Sequence, residues 1–259
     1  VTMDLDSYYS AVNFYGDEIN LKSGFVRYGS NALSFIDIAN NDINYMLTRE
    51  CGIALTVNQG NLNMKYLVSS NCIDTGILYS ASVGSNFNVS ITKSIFNYIN
   101  QRAISIERSG DYNINNCFFN NNLNYSIKAK LCSGEITNND FVNSVYHIMA
   151  GYNYTQFESN EIHYNNFFHA TTNIIPKGIV NNINHNNFYG PSSCFIYILD
   201  GGTPYSTVLD NVNAINNYWS IEEDNIPRYL ADAEDDPRCP YHIIYLPKLS
   251  KPERKAGIQ

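Results

Sequence analysis

Along most of the first 219 residues polar and apolar side chains alternate with a period of two, as in Phe87-Asn88-Val89-Ser90-Ile91 and Tyr112-Asn113-Ile114. This pattern predicts strands, whose successive side chains face opposite sides, and helical spacing is scarce before residue 220. Superimposed on the alternation is a hexad: an aliphatic residue, two variable positions, a residue that is usually Asn, another variable position, then a large apolar residue. It reads Ile38–Ile43, Val68–Ile73, Ile91–Phe96, Ile114–Phe119, Ile136–Phe141, Ile162–Phe167, Ile183–Phe188 and Ala214–Trp219. Its fourth position holds Asn41, Asn71, Ser94, Cys117, Asn139, Asn165, Asn186 and Asn217.

Successive hexads end 30, 23, 23, 22, 26, 21 and 31 residues apart, a repeat length that signals a solenoid. Short strands in a repeat of about 22 residues predict an all-β chain, a right-handed parallel β-helix of about 8–10 coils that bury their inward side chains by stacking. Asn suits the turns, because it tolerates left-handed backbone angles and its amide bonds nearby main chain. Stacked over consecutive coils, these Asn side chains are expected to form a structural ladder that small residues such as Ser94 and Cys117 can also occupy.

After Trp219 the pattern changes. Ser220-Ile221-Glu222-Glu223 offers a capping box, and Ile221, Ile226, Tyr229 and Leu230 supply an apolar stripe, which together predict a short helix. His242–Leu246 reads as a last strand stopped by Pro247, before a polar tail from Lys251 to Gln259. The expected organisation is residues 1–219 as coils and 220–259 as the C-terminal helix, strand cap and tail of the same domain. Such a cap would cover the unpaired end of the stack.

Asn216-Asn217-Tyr218-Trp219, the acidic segment after it and Ile244-Tyr245-Leu246-Pro247-Lys248-Leu249 resemble the end of many bacterial and archaeal surface proteins built of parallel β-helix repeats. That superfamily includes lyases, hydrolases, epimerases, tailspikes and non-catalytic adhesins, so the fold does not choose a function.

Composition narrows the choice. A net charge of −8 with 15% charged residues and no Lys/Arg run outside the tail argues against a nucleic-acid partner, and disfavours an anionic polysaccharide. No run of 18 apolar residues and no signal-peptide pattern is present, so no membrane insertion is expected. The opening Val1-Thr2-Met3-Asp4 reads as an excised or mature fragment. Six cysteines, at 51, 72, 117, 132, 194 and 239, lack metal-ligand spacing, and Cys72 and Cys117, beside or within the hexads, read as buried small apolar side chains and not disulfide partners. No metal and no cofactor is expected.

Glycoside hydrolysis needs two carboxylates over one groove, and acids are sparse in the coils. Glu107, Arg108 and Asp111 form the densest charged group there, beside Ser109-Gly110, which reads as a polar turn. Glu158 and Glu161 share one coil. Of the histidines at 147, 163, 169 and 185, His163 and His185 fall at different hexad positions, and all four read as surface residues, not a metal site. The acid run Glu222 to Asp236 lacks the alternation of a calcium loop.

Aromatic residues amount to 14% of the chain, with 21 Tyr against one Trp. Phe and Trp fall mostly at inward hexad positions, so Trp219 is expected in the core. Tyrosines gather where the repeat lengthens, and insertions in a solenoid commonly form the binding side. Tyr146, Tyr152, Tyr154, Tyr189 and Tyr205 are the candidate carbohydrate-binding residues, since a tyrosine presents an apolar face and a polar edge to a sugar ring.

Through its coil architecture, its Asn and Tyr richness and its lack of acid pairs, the chain is also similar to the β-helical cellulose-binding portion of tapirins, surface adhesins of cellulolytic bacteria. That resemblance implies attachment to cellulose without hydrolysis. The expectation is thus an extracellular, cell-surface, monomeric and non-catalytic module that binds an insoluble neutral polysaccharide, cellulose or another plant cell-wall glycan. The alternative is a polysaccharide lyase or glycoside hydrolase on the same fold, with Glu107, Arg108 and Asp111 as its candidate groups.

Overall fold

The computed structural model describes residues 2–4, 12–82, 86–108, 110–151, 159–177, 179–190, 192–198, 210–236 and 239–259 of the 259-residue chain. It is a right-handed parallel β-solenoid in which each coil contributes a strand to three faces, and every strand pairing is parallel. Face A is the eight-stranded sheet that contains Val89–Thr92 and Asp111–Asn115. Face B holds three-residue strands such as Ile95–Asn97 and Phe118–Asn120, and face C six-residue strands such as Arg102–Glu107 and Tyr125–Lys130. Asp140–Ala150 and Asn166–Pro176 run through the corner and belong to both B and C.

The last six hexads span the A–B corner. Their first residue is buried, in face A for the first five and just after Val212–Asn213 for Ala214, and their last forms an inward stack: Phe96, Phe119, Phe141, Phe167, Phe188 and Trp219, with centroids 4.4–5.2 Å apart and planes within 14°. The spacing is that of the coils themselves, about 4.8 Å, so flat rings at one register position stack face to face along the lumen. Earlier coils place Ser69, Thr48 and Val26 in the same column.

For the first two hexads the sequence reading is out of phase. Ile38–Ile43 crosses from face C to face A, and Val68–Ile73 crosses from B to C, leaving Ile73 49% exposed. The true A–B equivalents are Ile43–Thr48 and Met64–Ser69, which carry Met46 and Leu67 in the Asn position. All three corners turn by the same means, so a short aliphatic–Asn–apolar string fits more than one of them. All nineteen non-glycine residues with positive φ among the described residues lie at these corners, with φ of 48–68°.

The ladder forms from Asn139 onward. Asn139, Asn165 and Asn186 accept on Oδ1 from the N–H of the ladder residue one coil earlier (Cys117, Asn139 and Asn165) at 2.8–3.0 Å. Their Nδ2 groups donate to Ile114, Ile136 and Ile162 oxygens at 2.8–2.9 Å. Asn217 continues the series, accepting from Asn186 N at 2.9 Å and donating to Ile183 O at 2.6 Å. Each amide thus satisfies two buried main-chain groups that the turning backbone withdraws from the sheets. Ser94 replaces the acceptor, taking Leu67 N at 3.1 Å, and donates only locally, to Thr92 O at 2.9 Å. In face A the buried Tyr112 needs Gly134 beneath it, since a Cβ there would lie 2.1 Å from Tyr112 O, and the Tyr112 hydroxyl donates to Asn160 Oδ1 two coils away at 2.6 Å.

The end of the chain differs from expectation. The capping box does not form: Glu222 is the N-cap without a side-chain bond, and the helix is a 3-10 helix over Glu223–Tyr229. The last strand is only Ile243–Ile244, paired with Val212–Asn213. The polar tail is not loose but lies as a strap back along the A–B corner. Glu253 exchanges two main-chain bonds with the Asn187 side chain at 2.7 and 3.0 Å, Gly257 N donates to Tyr164 O at 2.8 Å, and Gln259 N donates to Asn116 Oδ1 at 2.9 Å. Gly257 (φ 85°) must be glycine, because a Cβ would stand 2.2 Å from Asn166 Nδ2.

Candidate functional site

Of the candidate tyrosines, Tyr152, Tyr154 and Tyr205 lie outside the described residues. Tyr146 is half-buried on face C and stacks on Tyr125 at 4.9 Å. Tyr189 is half-buried on face B between Phe168, at 4.6 Å and 4°, and Tyr218, at 6.0 Å and 58°. Burial, then the neighbouring Tyr218 and Asp140, push its hydroxyl pKa up. A ring stacked along the solenoid axis spends a face on its neighbour and turns its edge outward.

Exposed rings also stand at corners that sequence reading passed over. Tyr45 (61% exposed) stacks on Tyr66, and Tyr98 (50% exposed) stands in left-handed backbone at the B–C corner. Beside Tyr98 a shallow groove of about 490 Å³ crosses face B, between Phe25 and Leu47 on one side and Asn71 and Asn97 on the other. Two outward rows build it. One row is apolar, Phe25–Leu47–Val68–Ile95–Phe118 in register, and the other is Arg27–Arg49–Ser70–Asn97–Asn120. The signal in sequence was faint, because apolar residues that flank a core position read as core until register turns them outward.

Polar groups in the second row are tied to each other: Asn120 Nδ2 donates to Asn97 Oδ1 at 3.0 Å. Glu50 accepts Arg27 Nε and Nη2 on Oε2 at 3.1 and 3.0 Å, and Arg49 Nε on Oε1 at 3.1 Å. A hydrogen bond from Tyr28, then Arg27 and Arg49, lowers the Glu50 pKa. One carboxylate between two guanidiniums leaves this end of the groove net positive.

The charged group proposed for catalysis does not converge. Glu107 ends a face C strand, Arg108 turns the corner at φ 61°, and Asp111 begins a face A strand. Asp111 instead shares a groove of about 590 Å³ with Glu135 and Glu161 of the next two coils, and Glu135 and Glu161 are in direct register. Glu135 went unnoticed in sequence, since only the coil register sets it beside Glu161.

The histidines separate. His147 is a correction to the surface reading: it is fully buried among Phe141 and Phe167, and burial lowers its pKa to about 3. His163 and His185 flank Tyr164 at ring distances of 5.2 Å, and His185 Nδ1 lies 3.3 Å from Glu253 Oε2. No group of three or more His, Cys, Asp or Glu among the described residues could hold a metal. In the acid run, Asp232 is used internally, accepting from Glu234 N and Ile243 N at 2.9 and 2.8 Å. All six cysteines are free thiols; five are buried, and burial raises Cys117 to about 12.

Cations scattered in the sequence also assemble. On face C, register sets Arg102 beside Tyr125, and Lys128 and Lys130 one coil from Ser105 and Glu107. The absence of a basic run therefore did not mean the absence of a basic patch.

No protein-family model matches the chain, and neither a curated protein nor a solved structure matches it. The fold defines its class, a parallel β-solenoid. No helix among the described residues is long and apolar enough to cross a membrane.

Proposed function

We propose that this solenoid is a non-catalytic carbohydrate-binding module, an extracellular adhesin that attaches to an insoluble neutral polysaccharide, with cellulose the leading substrate, as the likeness to tapirins implies. The observation that carries the reading is the pair of outward rows on face B, an apolar strip from Phe25 to Phe118 and, beside its last three members, the hydroxyl and amides of Ser70, Asn97 and Asn120. A sugar ring has an apolar face and a hydroxyl rim, and the two strips match those two surfaces. Two coils span about 9.6 Å, roughly two sugar rings, so one chain of the polymer could meet the same chemistry repeatedly. Tyr98 adds a ring with a free face at the edge of the groove.

The test is a pull-down on microcrystalline cellulose, with xylan and chitin alongside, comparing the parent with Tyr98→Ala and Leu47→Asn. Retention on cellulose that falls in both variants, without released sugar, is the expected result. Retention unchanged in both variants would remove face B from the reading, and no retention of the parent would end it.

A second reading has one observation in its favour, the in-register Glu135 and Glu161 over the face A groove. Carboxylates on adjacent coils, about 4.8 Å apart at the backbone, suit a retaining hydrolase, which needs about 5 Å between them. Sugar released by the parent and not by Glu135→Gln would favour this reading over the first.

A further inference from the structure

The B–C corner holds a pair of thiols that glycan binding leaves unused. Two successive coils turn there on a left-handed residue, Glu50 (φ 55°) and Asn71 (φ 54°), and the residue that follows each is a buried cysteine. Arg49 and Ser70 are in direct register, Glu50 N donates to Ser70 O at 3.0 Å and Ile73 N to Cys51 O at 2.8 Å, so Cys51 and Cys72 stand one above the other. Both thiols take the same orientation, donating to the carbonyl two residues earlier: Cys51 to Arg49 O at 3.3 Å and Cys72 to Ser70 O at 3.7 Å. Of the six cysteines only these two share a position on adjacent coils.

Equivalent Cα atoms of neighbouring coils lie about 4.8 Å apart, inside the span of about 4.4–6.8 Å that a disulfide bridges. A hydrogen bond from the Cys72 thiol lowers the Cys51 pKa to about 7 against the opposing cost of burial, while the same contact and burial raise that of Cys72. One sulfur is thus set as the thiolate and its neighbour as the proton donor. At Cys117 and Cys194 burial instead raises the pKa to about 12, so both stay thiols at neutral pH. Cys51 and Cys72 lie directly inside a corner whose outer side chains Arg49, Asn71 and Ile73 are exposed, and the opening of that single turn admits a molecule about the size of water.

We propose that Cys51 and Cys72 form an oxidation site, at which hydrogen peroxide converts the two thiols into a disulfide that staples adjacent coils. The Cys51 thiolate attacks one peroxide oxygen, forming an S–O bond as the O–O bond breaks; the departing hydroxide takes up the proton that Cys51 released and leaves as water. The Cys72 sulfur then attacks Cys51 Sγ, forming the S–S bond as the S–O bond breaks, and its proton leaves with that oxygen as a second water. Two thiols are oxidised by two electrons and one peroxide is reduced to two waters. The staple ties together the coils that carry Arg49 and Asn71, which line the face B groove. The inference is independent of what that groove binds.

The test treats the full chain with hydrogen peroxide at neutral pH, blocks the remaining thiols with N-ethylmaleimide in urea, and maps a tryptic digest by mass spectrometry, with Cys51→Ser and Cys72→Ser beside the parent. Lys65 lies between the two cysteines, so trypsin separates them unless a disulfide holds their peptides together. The expected result is one linked pair, Cys51 with Cys72, lighter by two hydrogens and released by dithiothreitol, with the other four cysteines blocked by maleimide. Cys51 should be consumed at least about tenfold faster than Cys117 or Cys194, as its thiolate fraction requires. In Cys72→Ser the sulfenic acid should persist on Cys51 and be captured by dimedone, and in Cys51→Ser neither product should form. Thermal melts check that the variants fold, and the linkage map of the parent decides the question without them. A folded parent that keeps all six thiols, a linkage to any other cysteine, or a Cys51–Cys72 link that forms only in urea would overturn the proposal.

Discussion

Replacing Asn165 tests the ladder most directly. Its Nδ2 donates to Ile136 O at 2.8 Å, His163 O at 3.0 Å and Asn186 Oδ1 at 3.1 Å, while Oδ1 accepts Asn139 N at 3.0 Å. The residue is fully buried, so water does not replace what is removed. Asn165→Ala strands the Asn139 N–H and the Ile136 carbonyl, at about 1–3 kcal/mol each, for a loss of about 2–6 kcal/mol. Asn165→Ser should cost less, because a hydroxyl can keep an acceptor for the N–H, as Ser94 does for Leu67. Asn165→Asp should cost more than Ala at pH 7, since it aims a second acceptor oxygen at two carbonyls and buries a charge. The introduced carboxyl has a folded pKa above the unfolded value of about 3.9, so its penalty shrinks as pH falls toward 4. Urea unfolding followed by far-UV circular dichroism at pH 7 and pH 4 reads all three variants. A loss below about 1 kcal/mol for Ala, or an Asp variant as stable as the Ala variant at pH 7, would refute the two-group account of the ladder.

Other expectations follow from the same geometry. Phe141→Ala opens the ring stack between Phe119 and Phe167 and should cost about 3–5 kcal/mol by urea titration. His147, held neutral by burial with a pKa of about 3, takes no proton in the folded chain where the unfolded chain does; stability is full above pH 6.5 and falls as pH drops toward 3. His147→Leu should flatten that acid limb, read as melting temperature between pH 7 and pH 4. Lys128 shows the same sign in a higher window: its folded pKa of about 8 lies below the unfolded 10.5, so the parent gains stability as pH rises between these values. Lys128→Met should therefore melt above the parent at pH 7, with the gap closing by about pH 10.5. Gly257→Ala should release the strap, seen as faster hydrogen exchange of the position-257 and Gln259 amides with the coils still folded.

The strand period, the repeat length, the Asn ladder and the inward aromatic column were legible in the residues, because each depends on a local pattern that every coil repeats. Phe96 to Trp219 and Asn139 to Asn217 must stack whatever else the chain does, since a one-residue slip would expose them. Tertiary structure alone decided what depends on which coil lies beside which. The phase of the first two hexads was ambiguous because three corners use the same left-handed turn, and the strap was invisible because its partners are outward amides many coils away. Likewise Phe25 to Phe118 became a surface row, Glu135 met Glu161, and Arg102 met Tyr125, only when coils of unequal length were brought into register. Inward positions are dictated by the need of every coil to bury its own side chains, whereas outward neighbours are set by how many residues each loop spends before the next strand begins.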